Sequence, residues 1–254
     1  MAERKTVISI RNLQKSFGEK RVLDGINLDI YAGETFVIMG PSGCGKSTLL
    51  QHFIGALTPD AGQVLFGDKD LARCTLEEKD AIRKRFGMSF QSSALLDSLS
   101  VGENVSLPLR EHTQLNESII DIMVNMKLDL VGLRGIEKLS PSMLSVWMQK
   151  RVGLARAIAM DPEIVFYDEP TAGLDPVMSA AIDQLILDLS KKLMITSVVV
   201  THDMHSVFRI ADRVAMLFRG RVLEVGTPQQ IRNSDNPIVQ QFIKGETQGP
   251  MNPE

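Results

Sequence analysis

The sequence predicts an α/β fold, a mixed sheet layered with helices, and three kinds of stretch carry that prediction. Phe36–Met39 and Ile164–Tyr167 are short uniformly apolar runs, and Val198–Thr201 is β-branched, as strands buried on both faces are. The first run leads through a glycine-rich segment into Thr48–Leu57, which has helical periodicity, and the second leads toward the helical repeat of Ile182, Leu185, Ile186 and Leu189. From Ser92 to about Met160 the composition turns helical, which places a helical segment inside the α/β frame.

Composition narrows the function. The 254 residues suffice for a full core in one large domain or two intimate ones, and 44% hydrophobic with 23% charged residues is a globular balance. A net charge of -3 gives no reason to expect a nucleic-acid partner. No run approaches the roughly 20 apolar residues of a membrane span, and Met1–Thr6 lacks the apolar core of a signal peptide. The expected location is therefore cytosolic, with any membrane role exercised through a partner. Cys44 and Cys74 fit no disulfide framework or metal spacing.

In order, Thr6–Leu13 and Val22–Ile30 alternate apolar and polar residues like half-exposed antiparallel strands. Phe17 lies between them, either as a strand-end core residue or as a flat platform for a base. Next come the buried strand Phe36–Met39 and then Gly40, Pro41, Ser42, Gly43, Cys44, Gly45, Lys46, Ser47 and Thr48. Strand, G-x-x-x-x-G-K-S, helix is the phosphate-binding loop in its proper context. Its glycines let successive N–H groups turn inward at a helix N-terminus. Lys46 supplies a cation for the β- and γ-phosphates, and Ser47 a hydroxyl for Mg²⁺. Nucleoside-triphosphate binding follows.

After a turn at Thr58–Gly62, Gln63–Phe66 reads as a strand, Leu76–Arg85 as a charged helix and Gly87–Gln91 as a core strand ending at a glutamine. Gln91 is either a solvated amide or a group facing Mg²⁺ or the attacking water. Glu117, Asp121, Asn125 and Asp129 form a polar stripe, with Ile119, Ile122, Met123 and Met126 on another face. The simplest reading packs that apolar face on neighbouring helices, and its methionines also suit a partner helix. Strand Ile164–Asp168 ends in two carboxylates. Asp168 is placed to bind Mg²⁺ directly or through water, and Glu169 to polarise water as a general base. His202 directly follows a buried strand, as a core histidine or a γ-phosphate sensor, and Val214–Phe218 with Arg221–Val225 reads as a hairpin.

Taken together, these residues resemble the ATPase subunit of ABC transporters over nearly the whole chain. The resemblance implies ATP and Mg²⁺ as ligands, with Phe17 stacking on the base and Gly40–Thr48 as Walker A. It makes Gln91 the Q-loop glutamine, Asp168 and Glu169 the Walker B pair, Asp175 the D-loop aspartate and His202 the switch histidine. A narrower similarity, to the Mla/MCE lipid-transport ATPases, lies in Phe90–Val105, Leu107–His112, Thr201–Ser206 and Gln240–Gly245. It implies phospholipid transport across a bacterial envelope, from the cytoplasmic face of the inner membrane. The implied partners are a multi-span permease, a second copy of this chain, a periplasmic MCE-type lipid-binding protein and a small STAS-type protein. A permease coupling helix would dock near Gln91–Leu109.

One motif departs from the family. Its signature, usually L-S-G-G-(Q/M), falls at Leu144-Ser145-Val146-Trp147-Met148, where both glycines are missing and Met143 replaces a frequent acid. In the family Ser145 and the neighbouring N–H groups would cap the γ-phosphate held by the other protomer. Val146 and Trp147 are expected to hold the two protomers apart unless Trp147 swings away. Each lost donor to a transferring phosphate costs a factor of about 10² to 10³. The alternative expectation is a chain that binds ATP, is impaired in hydrolysis, and serves assembly or gating.

The implied architecture is a P-loop NTPase of ABC type. It has a RecA-like core at about 1–91 and 161–226, an antiparallel β subdomain, an inserted helical subdomain at about 92–160, and a helical tail at about 227–254. The last ten residues, Gly245–Glu254, read as a mobile end.

Overall fold

The computed structural model describes residues 4–252, so the first three residues of the N-terminal segment and the last two of the C-terminal tail lie outside the described residues. The chain divides into two units, Met1–Lys79 with Val198–Glu254, and Asp80–Ser197.

In the first unit β1 (Thr6–Phe17) and β2 (Lys20–Tyr31) run antiparallel. They are followed by β3 (Thr35–Met39), α1 (Lys46–Phe53), β4 (Ala61–Phe66) and β5 (Lys69–Asp70). The antiparallel sheet has the order β2-β1-β4-β5. Ile8 and Ile10 are buried as alternation predicts, but the next buried position is Leu13. Asn12 adopts φ +48° at an irregularity in the pairing, and this extra residue shifts the phase of the strand. All five residues of β3 are buried. Helix α1 ends at Phe53, short of the expected Leu57, because Gly55 turns the chain at φ +66°.

Helix α2 (Leu76–Arg83) crosses the division between the units, and the second unit begins its sheet with β6 (Phe86–Ser89). Every regular element between residues 92 and 160 is helical: α3 (Val101–His112), α4 (Glu117–Leu130), a 3₁₀ turn at Pro141–Met143 and α5 (Val146–Ala157). Ser100 opens α3 with a capping box closed by Glu103, and Asn116 caps α4. The apolar face expected to pack in α4 is wrong. Ile120, Val124 and Leu128 are buried, whereas Ile122 and Met126 are 60% and 59% exposed. The helix carries apolar residues on more than one side, and the set spaced four apart is the one buried; Lys127 is buried with it, its ammonium paired to Asp161.

β7 (Ile164–Asp168) pairs parallel to β6, and α6 (Pro176–Leu193) buries Ile182, Ile186 and Leu189. β8 (Thr196–Thr201) is buried throughout and returns the chain to the first unit. There α7 (Met204–Ile210), β9 (Arg213–Phe218), β10 (Arg221–Gly226), α8 (Pro228–Arg232) and α9 (Pro237–Lys244) complete the order. β3 lies between β9, its parallel neighbour, and β8, and β9 with β10 forms the expected hairpin. The segment after α9 is tied down rather than mobile through residue 252. Gln241 accepts from the Met251 N–H at 2.7 Å and donates to the Glu246 carbonyl and the Asn252 side chain, each at 3.2 Å.

Candidate functional site

Strand β3 ends at buried Met39 and hands the chain to the glycine-rich loop. Gly40 adopts φ +155°, and a Cβ there would stand 2.1 Å from the Leu217 carbonyl oxygen. Only glycine lets the loop pass so close to β9. Gly45 is the N-cap of α1 at φ +111°, and no side chain caps the helix, so its first amides are donors left to a ligand. Lys46 is 7% exposed and curls back into the loop. Its Nζ donates to the carbonyls of Gly40 at 2.7 Å and Pro41 at 3.1 Å, which leaves a third donor for a phosphate oxygen. Ser42, Gly43 and Ser47 are exposed, Pro41 and Thr48 half-buried. Cys44 is buried, and burial pushes its thiol up from the ordinary cysteine range, so it packs rather than reacts.

Also in the first unit, Phe17 ends β1 with half of its surface exposed and Lys15 Nζ 5.7 Å from its ring centroid. His202 follows β8 directly and is exposed. Behind it Asp203 caps α7 by accepting from the His205 N–H at 2.9 Å, and the Thr201 hydroxyl accepts from the Asp203 N–H at 3.0 Å. This bonding fixes the backbone on which His202 stands.

In the second unit Asp168 is the last residue of β7, half-buried, and Glu169 beside it is 9% exposed. Glu169 adopts φ +46°, a left-handed conformation unusual for a side chain this long, and a turn from its carbonyl to the Ala172 N–H at 3.1 Å holds it. Asp175 caps α6, accepting from the N–H groups of Val177 and Met178 at 2.8 and 2.9 Å. Gln91 is exposed in a turn two residues past the end of β6, rather than in the strand itself.

At the departed signature, Ser145 is the N-cap of α5 and its Oγ accepts from the Met148 N–H at 3.3 Å. Val146 is 56% exposed and Met143 71%. Trp147 is half-buried: its ring lies under the Arg151 guanidinium, 3.8 Å from the centroid, and its Nε1 has no partner among the described residues. The indole thus lies along its own helix, against Arg151.

The oxygen donors expected for Mg²⁺ are a hydroxyl at Ser47, an amide at Gln91 and a carboxylate at Asp168, the hard ligands that this ion takes alongside phosphate and water. The donor set fits. Sequence reading passed over two cations of α5. Lys150, 5% exposed, and Arg156 both donate to backbone carbonyls of the loop that carries Gln91. Local sequence carries no signal for them, since Lys150, Arg151 and Arg156 read alike as cations of one helix. Below them Phe86, Met88, Phe90, Leu96, Leu107 and Met160 line an apolar groove of about 410 Å³ in the same unit.

The family model described as ABC transporter matches residues 23–172. The chain is 44% identical over 96% of its length to the intermembrane phospholipid transport system ATP-binding protein MlaF of Haemophilus influenzae, covering 93% of that protein. It is 43% identical over 96% of its length to the probable ribonucleotide transport ATP-binding protein mkl of Mycobacterium leprae, covering 70% of it. Among solved structures, the ATP-binding cassette MJ0796, in a dimeric post-hydrolysis state bound to ADP and Pi, is similar at 31% identity and a TM-score of 0.79. That match covers 87% of this chain and 98% of that one.

Proposed function

The chain belongs to the ABC transporter family as an ATP-binding subunit of ATPase type, and on that premise we propose that it energises phospholipid movement through a membrane permease. The observation that carries the ATP-binding half is the loop itself: uncapped amides at α1, two glycines no other residue replaces, and Lys46 poised among them. The phospholipid half rests on the relative whose whole length this chain nearly spans, 93% against 70% for the one named for ribonucleotides.

In this reading Phe17 stacks on the base, and the amides of Gly43–Thr48 with Lys46 hold the β- and γ-phosphates. Ser145 of a second copy caps the γ-phosphate. Ser47, Gln91 and Asp168 would hold Mg²⁺, which would neutralise charge on the phosphate oxygens. Glu169 takes a proton from water as the water oxygen bonds to the γ-phosphorus. The bond from that phosphorus to the β-phosphate oxygen breaks, giving ADP and inorganic phosphate. His202 steadies the γ-phosphate from the end of β8. The short rigid turn at Glu169 keeps the carboxylate at its station.

The groove below the Q-loop accepts a short apolar helix of the permease, and a periplasmic lipid-binding protein and a STAS-type protein complete the complex. The inserted helical segment at about 92–160 is the part that meets the permease, and the core at about 1–91 and 161–226 the part that meets nucleotide. The hydrolysis-impaired reading is the lesser one: the Trp147 indole lies against Arg151 on its own helix, which leaves Val146 as the exposed departure from the signature.

The test is reconstitution of the chain with its co-purifying permease in vesicles. ATP-dependent movement of a headgroup-labelled phospholipid supports the reading. Movement of a ribonucleotide instead, with phospholipid left in place, refutes it.

A further inference from the structure

Helix α5 starts at Ser145, its N-cap, and packs against the loop that leaves β6. Two of its side chains collect three carbonyls of that loop's backbone. Lys150 Nζ donates to the Gln91 carbonyl at 2.5 Å. Arg156 donates to the Ser93 carbonyl at 2.6 Å through Nη2 and to the Ala94 carbonyl at 2.8 Å through Nη1. Between them Gly153 lets loop and helix touch, for a Cβ there would stand 3.3 Å from the Ser93 Cβ. Ser93 and Ala94 both adopt left-handed φ, +61° and +45°, which side-chain-bearing residues keep only where the surroundings hold them. Arg156 on both of their carbonyls, Lys150 on the Gln91 carbonyl just before them and the Ser93 N–H donating to the Phe90 carbonyl at 2.9 Å are among those surroundings. Lys150 is nearly fully buried, and burial holds its ammonium below the usual lysine range while the Glu169 and Asp168 carboxylates act in the opposite sense.

We propose that Lys150 and Arg156 are positioning residues for ATP turnover: they lock the backbone of residues 91–94 to α5, so that Gln91, the groove wall at Phe90 and Ala94, and the helix beginning at Ser145 move as one body. The proposal rests on the reading of Gln91 given above. Pressure from an occupant of the groove then reaches Gln91 and the N-terminus of α5 together, because the same guanidinium that lines the groove holds the loop. Without the lock, residues 91–94 would relax toward ordinary φ and carry Gln91 away from its station.

Two readouts on the full chain decide it. In hydrogen exchange on the nucleotide-free protein, Lys150→Met and Arg156→Met should speed exchange in the 91–95 segment and leave the other segments unchanged. In the permease-bound complex, Lys150→Met should lower kcat between about 10- and 100-fold, the size of effect that small misplacements produce. The KM for ATP should stay within about twofold, because a positioning loss acts on turnover and not on ground-state binding. Lys150→Arg should recover most of the rate, and Gln91→Ala with Lys150→Met should be no slower than Gln91→Ala alone.

Unchanged exchange at 91–95 overturns the lock. So does a Lys150→Met rate equal to the parent beside a slow Gln91→Ala, or a KM and melting temperature that shift in step with kcat. A fully active Gln91→Ala instead overturns the reading of Gln91, and the exchange data then still decide the lock alone. Where Lys150→Met does not fold, Lys150→Gln gives the same readouts.

Discussion

The Arg151 guanidinium stands 3.8 Å from the centroid of the Trp147 ring, one turn further along α5. The stack joins a cation to the face of an indole, and Arg151 Nη1 continues to the Val131 carbonyl at 2.9 Å. Within this chain the residue that reads in the sequence as a wedge is thus the base of a clasp from α5 to the Val131 carbonyl. Trp147→Ala should lower stability by about 1–3 kcal/mol, the usual range for losing such a packed contact. It should leave ATP affinity of the single chain unchanged. Thermal melting beside equilibrium binding of a fluorescent ATP analogue checks both halves.

With the indole folded along its helix, the bulky substitution that still faces outward in the signature, beside exposed Ser145, is Val146. Val146→Gly in the assembled transporter should therefore raise ATP turnover more than Trp147→Gly does. The reverse order in steady-state rates would restore the wedge.

Lys46→Ala should weaken ATP binding by about 10- to 100-fold, the equivalent of one charge-assisted hydrogen bond of roughly 1.5–3 kcal/mol. Isothermal titration with MgATP measures it. Far-ultraviolet circular dichroism should stay unchanged, since the Lys46 ammonium bonds to the loop carbonyls of Gly40 and Pro41.

Gly40→Ala should be far more damaging than its size suggests. The added methyl carbon meets the Leu217 carbonyl oxygen of β9 at 2.1 Å, so strand and loop must part. The expected loss is about 3 kcal/mol or more, in the range of strain at a special backbone position. Chemical denaturation would show it as an earlier midpoint at constant slope.

Folding stability should also fall with acid through His52. The imidazole is buried in α1 with Nδ1 2.7 Å from the Thr48 carbonyl, and burial holds it below its ordinary value of 6.5. Below that value the unfolded chain takes up a proton that the folded chain refuses. The contribution is therefore whole above pH 6.5 and declines as pH drops below it, by at most about 1.4 kcal/mol per pH unit. His52→Gln should flatten that part of the melting-temperature profile between pH 6.5 and 5, and an unchanged slope would assign the acid sensitivity elsewhere.

Much of this was legible in the chain because short-range pattern and chemistry coincide there. The β3 strand, glycine loop and α1 helix follow from local sequence, as do the acids that end β7 and the β9–β10 hairpin. Three features were not legible, for separate reasons. The phase slip in β1 depends on Asn12 turning left-handed against Gly62 of a neighbouring strand, a long-range contact. The packed face of α4 was decided among several apolar sides by what lay across from it. Lys150 and Arg156 look in sequence like solvated helix cations, and only the fold brings the carbonyls of Gln91, Ser93 and Ala94 to them.

Steady-state phosphate release in the permease-bound complex, beside Glu169→Gln, decides whether the carboxylate just past β7 drives ATP hydrolysis. The parent should turn over measurably and the variant should lose about 10²-fold or more, the scale of removing a general base, with ATP binding intact. Turnover absent from the parent, or equal in the two proteins, would contradict it.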